Sequence, residues 1–389
     1  MSERPRLLIL SFSPIASDAR VLKQVRLFAE RYDVTTCGFG PQPHPDVEHV
    51  QVADPVVPAD PRRARVRGLV TEALKSVRLY RAAYWRNAWA REARQRLRGR
   101  DFDVVLANDV DTVILARTLV GLDRLHVDLH EFWPLEGAAL RGRRRLPGVY
   151  NAWVCTRLAG RAASTTTVGP GIAREYASRC GFEPAVVPNV PPFHALEPGA
   201  VGRPLRLVHA GVGAPSRGIH KLVEAALTTR ADVTLDLFLV PTNKAYVDEL
   251  RARAAGTDGR VTVHDPVPQP ELVRSLNRFD VGVYLLEPQT VNSRFALPNK
   301  IFDFLQARLG VVVGPSPEMA ALVRTTGAGT VADGFEAADL RRVLDDLGAE
   351  EVARWKDAAD GAATTYSAEN VVGVWSEAID AIVDRRGRA

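Results

Sequence analysis

A chain of 389 residues, 46% hydrophobic and 25% charged, is too long for one ordinary core and has the make-up of a folded, water-soluble protein, so two domains are expected. The net charge of +5 is modest and no nucleic-acid partner is expected. Met1 to Leu10 sets Arg4 and Arg6 before a short apolar run without a small-residue cleavage site, and no later stretch approaches membrane-spanning length, which predicts an unprocessed cytoplasmic protein.

In chain order, Arg6 to Ser11 reads as a strand. After a turn at Ser13-Pro14, Asp18 can cap a helix whose apolar positions Val21, Val25 and Phe28 recur at helical spacing. A second strand follows at Val34 to Cys37. The stretch from Leu69 to Arg100 carries an apolar stripe of Leu69, Ala73, Val77, Tyr84 and Ala88, with Arg78, Arg81, Arg86 and Arg94 on other faces. It reads as a helix or helix pair folded over the first domain and shaping an acceptor pocket. The alternative is a peripheral contact with an anionic membrane, which Trp85, Trp89 and the nearby run Arg141 to Arg145 would suit. Arg62 to Arg67 and Arg91 to Arg100 are further basic clusters, suited to phosphates, anionic lipid or solvent. Strands follow at Val104 to Ala107, Val127 to Leu129 and Thr165 to Val168, with helices from Asp111 and through Ile172 and Tyr176.

Between Pro188 and Pro204 the composition turns to linker chemistry, and the domain boundary is placed there. Alternation restarts with strands at Leu205 to Ala210, Val233 to Val240, Val261 to Val263 and Val281 to Leu286, and helices at Ile219 to Ala226, Tyr246 to Ala254 and Leu272 to Phe279. The tail from Val352 to Val383 reads as helices, with Val371, Trp375 and Ile379 stacked at every fourth position. Such alternation implies α/β architecture with two doubly wound, Rossmann-like halves, residues 1–195 and 200–365, and a last helix, 368–389, returning to the first. Facing one another, they would hold ligands in a cleft at the carboxyl ends of their strands. Cys37, Cys155 and Cys180 show no paired spacing, so buried thiols are expected rather than a zinc site or disulfides.

Three stretches could carry chemistry. Asn292 to Ala307 follows a strand, and Pro298 suits the first position of a helix whose free amides could hold a phosphate. Asn299 and Asp303 would then share a face, one turn apart, with the carboxylate placed to accept from ribose hydroxyls. His209 to Gly218 runs from a strand through Gly211 and Gly213, where backbone can approach phosphate, to Arg217, whose forked donors suit a diphosphate. Asp128-Leu129-His130-Glu131 clusters titratable groups at a strand end. Two decoys are set aside. Asp109-Val110-Asp111 has the look of a paired-carboxylate metal motif, but Asp111 reads as a helix cap and no metal is expected; Ser316-Pro317-Glu318 reads as cap, first-turn proline and dipole-matching acid.

These pieces and their order, with Ser17-Asp18-Ala19-Arg20-Val21, Ala107-Asn108-Asp109, Val187-Pro188-Asn189-Val190 and Leu297-Pro298-Asn299-Lys300, resemble glycosyltransferase family 4, the retaining GT-B enzymes that use nucleotide-sugar donors. The resemblance implies a GT-B fold and a metal-independent hexosyltransferase without a cofactor. The donor would be a GDP- or UDP-sugar, and the acceptor a small molecule, a glycan or a lipid-linked sugar in cell-envelope polysaccharide or secondary-metabolite synthesis. It assigns His130 to donor-sugar contact, Arg217 and Lys300 to the leaving diphosphate, and Gly211, Gly213, Leu297, Asn299 and Asp303 to nucleotide-sugar binding. Ser17, Asp18, Asp109 and Glu131 fall on the acceptor side. Phe295 departs from the pattern, standing where the family has a sugar-binding glutamate, and Val212 stands where an arginine often follows the glycine. A nucleotide-sugar epimerase or hydrolase of the same fold, or a silent nucleotide-binding homologue, is the alternative.

Overall fold

The computed structural model describes residues 4–54, 61–135 and 146–387. The run Arg141 to Arg145, and the side chains of Arg62 and Arg63, lie outside the described residues. The chain divides into two compact units, unit 1 of Met1–Val187 with Val372–Ala389, and unit 2 of Pro188–Val371.

Unit 1 contains β1 (Arg6–Pro14), α1 (Ala19–Ala29), β2 (Asp33–Phe39), β3 (Glu48–Gln51), α2 (Pro61–Ser76), α3 (Tyr80–Tyr84), α4 (Ala88–Arg96), β4 (Val104–Asn108), α5 (Val110–Val120), β5 (Leu125–Leu129), α6 (Leu146–Arg157), β6 (Ser164–Thr167), α7 (Pro170–Cys180) and β7 (Ala185–Val186). Its sheet is parallel throughout, in the order β3-β2-β1-β4-β5-β6-β7. Leu7, Leu8, Ile9 and Leu10 are all fully buried. A continuous apolar run is what a parallel strand covered on both faces requires.

Unit 2 contains β8 (Leu205–Val212), α8 (Ile219–Thr228), β9 (Val233–Val240), α9 (Lys244–Ala255), β10 (Val261–His264), α10 (Gln269–Leu276), β11 (Val281–Tyr284), α11 (Val291–Arg294), α12 (Asn299–Gln306), β12 (Gly310–Val313), α13 (Pro317–Thr326), β13 (Gly329–Val331), α14 (Ala337–Asp346), α15 (Ala349–Ala363) and α16 (Ala368–Val371). Its parallel sheet runs β10-β9-β8-β11-β12-β13. Side chains alternate between two cores: Leu205, Leu207, Val281, Val283 and Val312 pack on one face, Val208, Ala210, Tyr284, Val311 and Val313 on the other. In both sheets the strand order reverses between the first strand and the fourth, which marks the topological switch point.

The tail departs from the expected single stripe. Val371 ends α16 and packs on the unit 2 core, whereas α17 (Gly373–Gly387) belongs to unit 1 and buries Trp375 and Ile379 there. A turn at Val372 breaks the helical repeat that the spacing suggested. The Leu69 to Arg100 stretch also differs: it forms three short helices, and Leu69 and Val77 are exposed while Tyr80, Ala83, Tyr84, Ala90 and Ala93 are buried. Asp18 caps α1, accepting from the amides of Arg20 and Val21. All three cysteines are buried thiols, and among the described residues no helix is long and apolar enough to cross a membrane.

Candidate functional site

In unit 2 the expected residues gather at the carboxyl edge of β8 and β11, at the switch point. Gly211, the last residue but one of β8, lies beside Lys300, and a Cβ on Gly211 would lie 2.0 Å from the Lys300 Cε. Glycine there lets the lysine lie across the strand end. The Lys300 ammonium is 5.6 Å from the centre of the Tyr284 ring, and Tyr284 stacks on His209 with centroids 5.7 Å apart. Arg217 reaches the Tyr284 hydroxyl from the turn Pro215–Arg217. Burial and then Arg217 lower the Lys300 pKa, against the pull of Asp303. Burial also lowers His209, to about 4, with Lys300 adding to it, so His209 is neutral and donates from Nδ1 to the Val283 carbonyl at 3.0 Å. Two cations beside one carboxylate at low dielectric make a concentrated positive potential.

Two expectations for unit 2 are corrected, and Gly213 gains a packing role. Pro298 is the N-cap of α12, with φ −71° and ψ 147°, rather than its first helical residue; the helix starts at Asn299, and the first amide turned back is that of Ile301, to the Pro298 carbonyl at 3.1 Å. Gly213 serves packing, because its amide donates to the Val240 carbonyl at 2.8 Å and a Cβ there would meet Val247 at 2.4 Å. Ser316 does not cap with its side chain, which donates instead to the Leu286 carbonyl at 3.2 Å. Leu297 packs on the core below β11, Asn299 is exposed and Asp303 is 4% exposed. Phe295 is half-buried under the Arg294 guanidinium, 5.4 Å from its ring centre.

In unit 1 the carboxyl ends of β4 and β5 carry His130 in a directional hydrogen-bond chain. Asp128 is fully buried; Arg20 donates to both its oxygens at 2.7 Å, Thr166 to Oδ1 and Gln24 Nε2 to Oδ2, each at 2.7 Å. A carboxylate only accepts, so Gln24 presents its Oε1 elsewhere, to Asn108 Nδ2 at 2.9 Å. Asn108 Oδ1 is left as an acceptor, and it faces His130 Nε2 at 3.1 Å. Across the ring, His130 Nδ1 lies 3.1 Å from Asp109 Oδ2. Both nitrogens must therefore carry hydrogen, which makes the ring an imidazolium. Burial works against the charge, but Asp109 and Asp128 carry the His130 pKa up to about 10.

Asp109 holds this geometry at a cost. Its φ of 62° and ψ of 168° lie in a region that side chains avoid. Its Oδ1 accepts from the His130 amide and from Trp133 Nε1, both at 2.9 Å, and these bonds offset the strain. Asp109 is also the N-cap residue of α5, so the expectation that Asp111 caps that helix is corrected; Asp111 sits in the first turn, and burial and then Asp109 raise its pKa to about 8. Ser17 donates to the Pro14 carbonyl at 3.1 Å, Asp18 accepts from Ser13 at 2.8 Å, and Glu131 is exposed while its carbonyl accepts from Tyr176 at 2.6 Å. Among the described residues no group of three or more His, Cys, Asp or Glu is arranged to hold a metal ion.

Sequence reasoning did not reach Gln24, Thr166 or Tyr284 as parts of these clusters, and it gave His209 no role beyond opening its stretch. Tyr284 alone carried a usable signal, as a polar-tipped residue at the end of an apolar strand.

Two doubly wound parallel units of this topology define the fold shared by nucleotide-sugar transferases of the GT-B type. No protein-family model matches the chain, and no curated protein does. Among solved structures it is similar to HepE of Anabaena in complex with UDP and glucose, at 14% identity over 99% of this chain and 100% of that one, TM-score 0.65. It is similar also to the UDP-forming α,α-trehalose-phosphate synthase of Burkholderia vietnamiensis, at 10% identity over 99% of each chain, TM-score 0.69. A glycosyltransferase of Rickettsia africae matches at 10% identity over 98% of this chain and 99% of that one, TM-score 0.67.

Proposed function

We propose that the chain is a glycosyltransferase that draws its sugar from a nucleoside diphosphate sugar held by unit 2, with unit 1 receiving the acceptor. The observation that carries this reading is the Lys300–Arg217 pair at the switch point of the unit 2 sheet, where Lys300 is packed against Gly211 and Tyr284. A sugar–phosphate bond breaks when the charge growing on the departing diphosphate is stabilised by preorganised donors, and these two cations supply them. Solved structures of the same fold include HepE in complex with UDP-glucose, which supports a donor of this class. Lys300 and Arg217 act on the diphosphate and Asp303 on the ribose, and His130 serves the transfer from unit 1.

His130 as an imidazolium has no lone pair for a proton, so it orients and donates rather than serving as base. That supports a retaining course without a protein base, in which a phosphate oxygen of the donor takes the acceptor's proton. The transfer is metal-independent in this reading, since two fixed cations stand where a divalent ion would otherwise neutralise the diphosphate.

A thermal-shift panel of GDP, UDP, ADP and TDP tests the reading, because a ligand present at 100 times its Kd stabilises the fold by about 2.7 kcal/mol. One diphosphate is expected to raise Tm, and Asp303→Ala to abolish most of that rise while keeping the unliganded fold. Equal shifts in Asp303→Ala and the parent would remove Asp303 from the site. Phe295 favours one competing reading, nucleotide binding without transfer; a bound donor that yields no product with any acceptor would select it.

A further inference from the structure

At the opposite edge of the unit 1 sheet, a hollow of about 440 Å³ is lined by Arg78, Arg81, Arg117, Arg157 and Arg161, with Tyr80 and Trp153 as its aromatic wall. Leu122, also in the lining, precedes β5, and Arg161 precedes β6, so the hollow lies at the amino-terminal edge of the strands whereas His130 follows β5. It is therefore separate from the cluster described above. Another hollow, of about 740 Å³ and lined by Arg4, Arg26, Glu30, Asp33 and Asp46 among others, balances its charges with acids. The arginine hollow does not: no carboxylate lines it, and none of its five guanidinium groups is ion-paired with a described residue.

Five like charges converging from separate elements repel one another unless an anion joins them. Helix ends account for Arg117 and Arg157, which stand in the last turns of α5 and α6 and complement their dipoles. The other three stand on single turns or outside helices, where no long dipole holds a cation: Arg81 in the five-residue α3, Arg161 at the end of the three-residue turn Ala159–Arg161, and Arg78 ahead of α3 with a φ of 59°, a conformation that favours glycine. Tyr80 and Trp153 pack with ring centres 5.1 Å apart and stiffen the floor between them. Val77 and Leu79, either side of Arg78, are 64% and 54% exposed.

We propose that this hollow binds a phosphate-bearing polyanion, either a free diphosphate or the phosphorylated headgroup of a lipid, at a site independent of the nucleotide-sugar cluster. Forked guanidinium donors match phosphate oxygens, and several together bind multiply charged groups in preference to chloride. The exposed valine and leucine beside Arg78 would lie against acyl chains if the source is a membrane.

The test titrates the full chain with inorganic pyrophosphate by calorimetry, and measures co-flotation with phosphatidylcholine vesicles with and without phosphatidic acid. Both are repeated in Arg217→Ala, which removes one of the two unit 2 cations, and in the double variant Arg81→Gln/Arg157→Gln. Binding of at least one probe is expected to persist in Arg217→Ala, to weaken with salt, and to fall about tenfold or more in the double variant. Pyrophosphate binding alone assigns a soluble ligand, and vesicle binding alone assigns a headgroup. No binding of either probe, or equal binding by the parent and the folded double variant, overturns the proposal. Arg81→Glu, one change at an exposed side chain, gives the same reading if the double variant does not fold.

Discussion

His130 is donor to an amide oxygen on one side and a carboxylate on the other, and its chemistry follows from that arrangement. Its folded pKa stands above the ordinary 6.5, at about 10, so the stability it contributes is fully present below about pH 6.5 and is lost as pH rises through 10. Long-range proton–nitrogen NMR should show both ring nitrogens protonated at pH 7.5, with titration beginning only above about pH 9. A neutral tautomer at pH 7.5 would sink the imidazolium assignment. His130→Ala should lower turnover with little change in nucleotide affinity. The cluster was legible as titratable residues at a strand end. Its directionality was not, because the bonds that set it join residues 84 to 108 positions apart, Asn108 to Gln24 and Arg20 to Asp128. Likewise, nothing in the spacing of Gly211 and Gly213 distinguishes the glycine that Lys300 crosses from the one that Val247 fills.

At the scale of elements, α1 is fastened to β5 by the fully desolvated pair of Arg20 and Asp128. Arg20 also donates to the Val187 carbonyl at 2.7 Å and lies 4.8 Å over the Trp375 ring, so one guanidinium joins α1, β5 and α17. Removing one partner leaves a buried charge uncompensated, which costs about 3–5 kcal/mol. Arg20→Met should show a loss of that size in urea unfolding followed by tryptophan fluorescence, and adding Asp128→Leu should not recover it, because Gln24 and Thr166 then lose their acceptor. A loss under about 1 kcal/mol for the single variant would mean that water reaches the pair. The existence of α1, its cap at Asp18 and its apolar face could all be read from local spacing. The start of α12 could not be placed to the residue, because proline suits both the N-cap and the first helical position and only the ψ of 147° at Pro298 decides between them.

At the scale of the whole molecule, alternating apolar runs and helical stripes sufficed for two parallel sheets, since each central strand is buried on both faces. Strands such as Glu48–Gln51, Ala185–Val186 and Gly329–Val331 escaped, being two to four residues long with few buried apolar side chains. In the tail, a repeat of four carries no information about which core each side chain serves. Yet α17 completes unit 1: Trp375, Ile379 and Ile382 are buried, Trp375 Nε1 donates to Thr166 Oγ1 at 3.2 Å, and Arg31 donates to Asp380 at 2.7 Å. Ending the chain after Val371 would expose the surfaces these side chains cover and leave Thr166 and Arg20 without their aromatic neighbour. Burial of a single large apolar side chain is worth about 1.5–3 kcal/mol, so losing three removes a large part of a domain's margin. Hydrogen exchange read by mass spectrometry should then show β4 and β5 losing protection by orders of magnitude while β8 and β9 keep theirs. Equal protection of β4 and β5 in the shortened and full chains would show that unit 1 closes its core without its last helix.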